Sequence, residues 1–146
     1  MNLIHSTAAC VIKQGERYLM VEEQRGGPTS VFNQPAGHIE PGEGPIEAVL
    51  REVQEETAWQ VSLTSYLGLY IFHTDGGQTF HSHGFIAEPL TPLNLPLDPD
   101  IIATHWLTLE QIRALDQQAR LRSPLVLKRI EDALSGPRYP LSVIRE

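Results

Sequence analysis

Twenty-three residues, GHIEPGEGPIEAVLREVQEETAW from Gly37 to Trp59, constrain this chain more than any other stretch. A Gly/Pro-rich turn leads into a segment in which Ile46, Val49, Leu50, Val53 and Thr57 recur at helical spacing. That pattern predicts an amphipathic helix with a mostly apolar stripe facing a core. Gly44-Pro45 sets its start, because proline at the first helical position lacks an N–H that has no helical partner there anyway. Glu52, Glu55 and Glu56 are expected off the stripe, and Glu52 neighbours both others at helical spacing. Carboxylates so gathered repel one another unless a cation binds, and a hard divalent ion such as Mg²⁺ or Mn²⁺ prefers oxygen ligands. A merely solvated acidic face is the common alternative for such a cluster. Arg51 lies four residues after Glu47 and four before Glu55, so it can pair with either and hold a carboxylate in place.

Gly37, Glu43 and the run Arg51-Glu52-Val53-Gln54-Glu55-Glu56, at these spacings, resemble the Nudix box. The family pattern continues with a glycine and an apolar residue, where this chain has Ala58 and Trp59. If position 58 needs a positive φ, alanine strains it modestly, and a shifted helix end with activity retained is expected. Asn33 to His38, Leu121 to Val126 and Arg138 to Leu141 extend the likeness to the NudJ phosphatase branch of the family. The resemblance implies an α/β fold, a Nudix-type α/β/α sandwich with a mixed curved sheet.

What it implies for chemistry is Mg²⁺-dependent hydrolysis of phosphoanhydrides, with Mn²⁺ as a possible substitute. Glu52 and Glu56 would be the principal metal ligands. Glu55 would be a further ligand or the group that orients and deprotonates water, and Arg51 would hold the carboxylates in register. A main-chain carbonyl at Ala36 or Gly37 would complete the metal shell. The implied substrates are nucleoside tri- and diphosphates and hydroxymethylpyrimidine pyrophosphate. ADP-ribose or an oxidised nucleotide, or a non-catalytic nucleotide-binding role, stay open.

Elsewhere the chain reads as alternating strands and helices. Ser6–Lys13 and Arg17–Glu23 predict a hairpin around Gln14-Gly15-Glu16. Gln60–Thr74 and Gln78–Glu88 predict a second pair around Asp75-Gly76-Gly77. Pro89–Pro99 is expected to be irregular loop, Ile101–Leu107 a short strand, and Thr108 the cap of a following helix. Another helix is expected through about Leu134, with Ser123 as N-cap and Pro124 at its first position. At 146 residues the chain fits one domain, 1–146.

Net charge is −7, with 11 Lys and Arg against 18 Asp and Glu, which argues against nucleic-acid binding by the whole surface. An anionic small substrate would need a metal ion and local arginines to offset that field. The single cysteine, Cys10, excludes an internal disulfide and fits a cytoplasmic setting. Cys10 itself reads as a buried small hydrophobe. The N-terminal MNLIHSTAAC lacks a basic lead and long apolar run, so no signal peptide is expected, and no segment reaches membrane-spanning length. Either a monomer or a homodimer is compatible with the sequence.

Candidate substrate contacts are Phe32, Arg25, Arg122, His81 and His83. Strand alternation places His81 and His83 on one face, with Phe80 and Ser82 on the other. A zinc pair at these histidines lacks a third ligand nearby. Glu88, Asp98 and Asp100 are candidates for an additional carboxylate, and the sequence does not choose among them.

Overall fold

The computed structural model describes residues 3–146; Met1 and Asn2, part of the segment read as leaderless, lie outside the described residues. Among the described residues seven strands and three α-helices follow in the order β1 (Ile4–Gln14), β2 (Arg17–Glu23), β3 (Val31–Asn33), β4 (Ala36–His38), α1 (Pro45–Thr57), β5 (Trp59–His73), β6 (Thr79–Pro92), β7 (Ile101–Thr108), α2 (Leu109–Gln117) and α3 (Leu125–Ser135). The sheet path is β3-β2-β1-β6-β5, with β4 also on β1 and β7 on β2. It is mixed: β1 runs parallel to β6, and every other pair is antiparallel.

Side chains alternate across the strands and so feed two cores. Cys10, Ile12, Leu19, Phe85 and Ala87 pack with Ala48, Val49 and Val53 of α1. Val11, Met20, Tyr70 and Ile86 pack with Ile112 of α2 and with Val126, Ile130 and Ala133 of α3. The result is the three-layer α/β/α sandwich that the family resemblance implies. Cys10 is fully buried, and burial pushes its thiol pKa up, as fits an inert packing residue.

Three details depart from expectation. Pro89–Pro92 is not loop: β6 continues through it, pairing with Val61 and Trp59 of β5. The parallel pairing with β1 stops at Ala87, so beyond it β6 is an edge strand, where a missing N–H breaks no ladder on that side. Leu50 is 38% exposed, whereas Glu52 and Glu56 are buried beside Val49 and Val53. The carboxylates therefore share the covered face of α1. Finally, α1 closes at Thr57 with Ala58 at φ +56°, its N–H bonded to the carbonyl of Gln54. Alanine itself adopts the left-handed geometry usual for a helix-closing glycine, and the helix end is not displaced.

Thr108 caps α2 through a reciprocal box with Gln111. The hydroxyl of Ser123 accepts the N–H of Leu125 at 3.2 Å, so it serves the start of α3 although the regular helix begins two residues later.

Candidate active site

The turn before α1 and the helix itself are bolted together by Arg51. Its Nε and Nη2 donate to Glu43 at 2.6 and 2.9 Å, Nη2 also to the carbonyl of His38 at 3.0 Å, and Nη1 to Glu52 at 2.8 Å and Glu55 at 3.2 Å. The principal partner is thus Glu43, not Glu47, because the turn folds back over the helix. The guanidinium holds the Glu43 carboxyl down to about 2. Arg51 is in turn held further above its own ordinary value, first by Glu43 and then by Glu52.

The tight approach of this turn fixes the acids. A Cβ on Gly37 would overlap the Glu52 carboxylate, so only glycine leaves that group where it is. The N–H of Ala36 donates to Glu56 Oε1 at 2.9 Å. Burial pushes the Glu56 carboxyl up to about 9, with Glu23 and Glu52 adding repulsion, and burial also raises Glu52. Glu56 sits in the last turn of α1, where the helix dipole disfavours negative charge as well.

Asp98 supplies the third acid. The loop after β6 returns along α1, with the N–H of Leu93 on the carbonyl of Ala58 at 2.7 Å and that of Asp98 on the carbonyl of Glu55 at 3.0 Å. Glu52, Glu56 and Asp98 then offer carboxylate oxygens all within 4.8 Å of one another. Of the carboxylates left open by the sequence, the structure brings in Asp98. Asp100 instead faces Arg25 at 3.6 Å, and Glu88 is exposed on β6 opposite Ser62. Glu55 stands outside this trio, half-exposed and paired with Arg51.

A groove of about 280 Å³ adjoins the trio, with Ala36 and Gly37 among its lining residues. Arg25 and Arg122 reach it from different segments and converge on Glu23, at 3.0 and 3.9 Å. Glu23 is 1% exposed, and sequence reasoning passed it over; Glu22 and Glu23 end β2 together, and nothing in the sequence separates the buried one from its neighbour. Arg129 and Asn33, also in the groove, were missed for the same lack of a local signal. Burial lowers Arg129 to about 10, so it remains charged at neutral pH.

His81 and His83 do not reach this groove. Phe80 and Ser82 line it, and alternation puts the histidines on the opposite sheet face, where His83 bonds the Tyr66 hydroxyl at 2.9 Å. Phe32 is also elsewhere: it is 7% exposed in the α2/α3 core, beneath Arg120. Its backbone has a positional task, exchanging hydrogen bonds of 2.8 Å with Arg120 and Arg122 and so anchoring the segment that carries Arg122.

Two acids of a glycine-tight helix and a third from a returning loop gather beside an arginine-bearing groove, an arrangement able to hold a cation against a phosphate. The sequence pattern of the NUDIX domain matches residues 3–128, and the chain belongs to the Nudix family. It is a Nudix hydrolase, acting on anhydrides in phosphorus-containing compounds. Among relatives, it is 36% identical over 142 residues to Phosphatase NudJ of Escherichia coli K12, covering 96% of this chain and 90% of that protein. The solved NUDIX hydrolase from Nitrosomonas europaea superposes with a TM-score of 0.93 at 38% identity, covering 99% of this chain and 97% of that one. The MutT protein from Methanosarcina mazei Go1, at 18% identity and a TM-score of 0.71 over 92% of this chain and 97% of its own, shares the fold.

Proposed function

We propose that this protein is a Mg²⁺-dependent phosphatase of nucleoside tri- and diphosphates and of small organic pyrophosphates, hydroxymethylpyrimidine pyrophosphate among them. The observation that carries this reading is the trio of buried Glu52 and Glu56 with half-buried Asp98, next to the groove residues Gly37 and Ala36. An all-oxygen donor set suits Mg²⁺ or Mn²⁺, and gathered, desolvated acids are costly without a cation. The space that Gly37 leaves for Glu52 fits the same purpose. Glu52, Glu56 and Asp98 would hold the ion, with a main-chain carbonyl at Ala36 or Gly37. Such an ion supplies charge neutralisation of the phosphates and a more acidic bound water.

The remaining work falls to this chain's own residues. Arg51 keeps Glu52 and Glu55 in register through its bonds to both. Glu55, half-exposed and outside the trio, is free to orient the attacking water and accept its proton. Arg25 and Arg122, braced by Glu23, take phosphate oxygens in the groove. Water attacks phosphorus, the anhydride P–O bond breaks, and the leaving phosphate departs with the electron pair. The NudJ relative's name as a phosphatase supports release of orthophosphate. The groove volume, at the small end for ligand pockets, favours a compact substrate over ADP-ribose. The chain would work as one domain, 1–146, in the cytoplasm.

The test is a substrate panel with Mg²⁺, scored separately for orthophosphate, pyrophosphate and nucleoside monophosphate, with a chelator control. Orthophosphate from nucleoside tri- and diphosphates, lost with chelator, is expected. Monophosphate release from ADP-ribose at the highest kcat/KM would replace the substrate assignment. Metal-dependent binding with no turnover anywhere would replace the enzyme with a nucleotide-binding module.

A further inference from the structure

Two residues that line the groove each carry a buried polar atom that no described residue satisfies. Arg129 of α3 is 5% exposed and lines the groove. Its Nη1 donates to Gln34 Oε1 at 3.0 Å and its Nη2 to Ser82 Oγ at 2.9 Å, but its Nε donates to nothing. Its charged neighbourhood is bare: among the described residues no carboxylate pairs with it, and the Tyr70 ring lies 5.8 Å away. Asn33, at the end of β3, lines the same groove with its Oδ1 buried and unpartnered.

A buried guanidinium without counter-charge is costly, and an apolar residue of similar volume would hold α3 to the sheet more cheaply. The groove also presents Phe72, Phe80 and Leu125. Apolar walls with a few convergent polar groups are how small-molecule sites fix the orientation of a ring. Arg25 and Arg122, committed to Glu23, are separate from this set.

We propose that Arg129 determines specificity by reading the non-phosphate end of the substrate, donating to an acceptor (ring nitrogen or carbonyl oxygen) on a planar ring seated against Phe72 and Phe80. This rests on the hydrolase reading above for the position of the phosphate end. A purely structural Arg129 would clamp α3 to Gln34 and Ser82 and be indifferent to the ring.

The experiment measures binding, so it does not require turnover. Benzyl diphosphate and the 2-, 3- and 4-pyridylmethyl diphosphates share a phosphate end and differ only in a ring acceptor. Dissociation constants of their methylenediphosphonate analogues, whose P–C–P bridge is not hydrolysed, are measured by calorimetry with Mg²⁺ on the wild-type protein, Arg129→Lys and Arg129→Met, and hydrolysis of the four diphosphates by wild type is scored separately. At least one pyridyl isomer should bind wild type about tenfold tighter than the benzyl compound, as a hydrogen bond to a charged donor implies. That preference should shrink to about twofold in Arg129→Met. Equal binding of all four by wild type overturns the inference, as does a preference that survives in Arg129→Met. Should that variant not fold, the wild-type comparison and Arg129→Lys decide. Hydrolysis of all four without ring discrimination in binding sinks this inference and leaves the hydrolase reading standing; discrimination without hydrolysis keeps this inference and overturns small organic pyrophosphates as substrates. Binding of none overturns this inference, and the nucleotide panel alone decides the hydrolase reading.

Discussion

Replacing Glu56 by glutamine should raise the stability of the metal-free protein at neutral pH, although it removes a member of the site. Glu56 is 3% exposed, and burial followed by repulsion from Glu23 and Glu52 moves its carboxyl from 4.5 to about 9. Below the ordinary value, folded and unfolded chains both carry the proton. Between that value and about 9, only the folded chain holds it, so folding takes up a proton and stability falls as pH rises. At pH 7 the loss amounts to about 3 kcal/mol, from roughly 1.36 kcal/mol for each pH unit above the ordinary value. Glutamine is neutral in both states and its Oε1 can still accept the Ala36 N–H, so it escapes that loss. For a chain of this size the gain corresponds to roughly 5–10 °C in Tm. Thermal melts in EDTA across the acidic-to-alkaline range should show the variant and wild type converging near pH 4.5 and separating as pH rises. Added Mg²⁺ should stabilise wild type strongly and the variant little, because a ligand is gone. A variant that melts at or below wild type throughout that range in EDTA, or that gains as much from Mg²⁺, refutes the reasoning.

Gly37→Ala should displace the Glu52 carboxylate and lower kcat by about 100-fold or more, since small misplacements at a reacting centre have that effect; circular dichroism should show the fold intact. Asp98→Asn should raise the Mg²⁺ concentration needed for half-maximal thermal stabilisation by about tenfold. Ala119 is at an exposed position with φ +57°, so Ala119→Gly tests backbone strain alone. Relief of about 1–2 kcal/mol of left-handed strain, less about 0.4–1 kcal/mol of added unfolded-state entropy, should leave a net gain of roughly 0–1.6 kcal/mol in chemical denaturation.

By itself the sequence determined the periodic parts of this protein. The hairpin of β1 and β2, the start of α1 at Pro45, the Thr108 cap and the Arg51 to Glu56 cluster are all local, because turn chemistry, capping and helical spacing act within a few residues. Tertiary structure decided which acids and cations meet. Asp98 joins Glu52 and Glu56 only because the chain after β6 folds back along α1. Glu23 gathers Arg25 and Arg122 from segments about a hundred residues apart. Strand alternation was legible at His81 and His83, but which face carried the groove was not, since that depends on where β3, β4 and α3 pack. The burial of Glu52 and Glu56 follows from the same cause: a helical wheel sorts residues by polarity, and only the close approach of Gly37 and Ala36 covers two carboxylates and gives that enclosure its chemical sense.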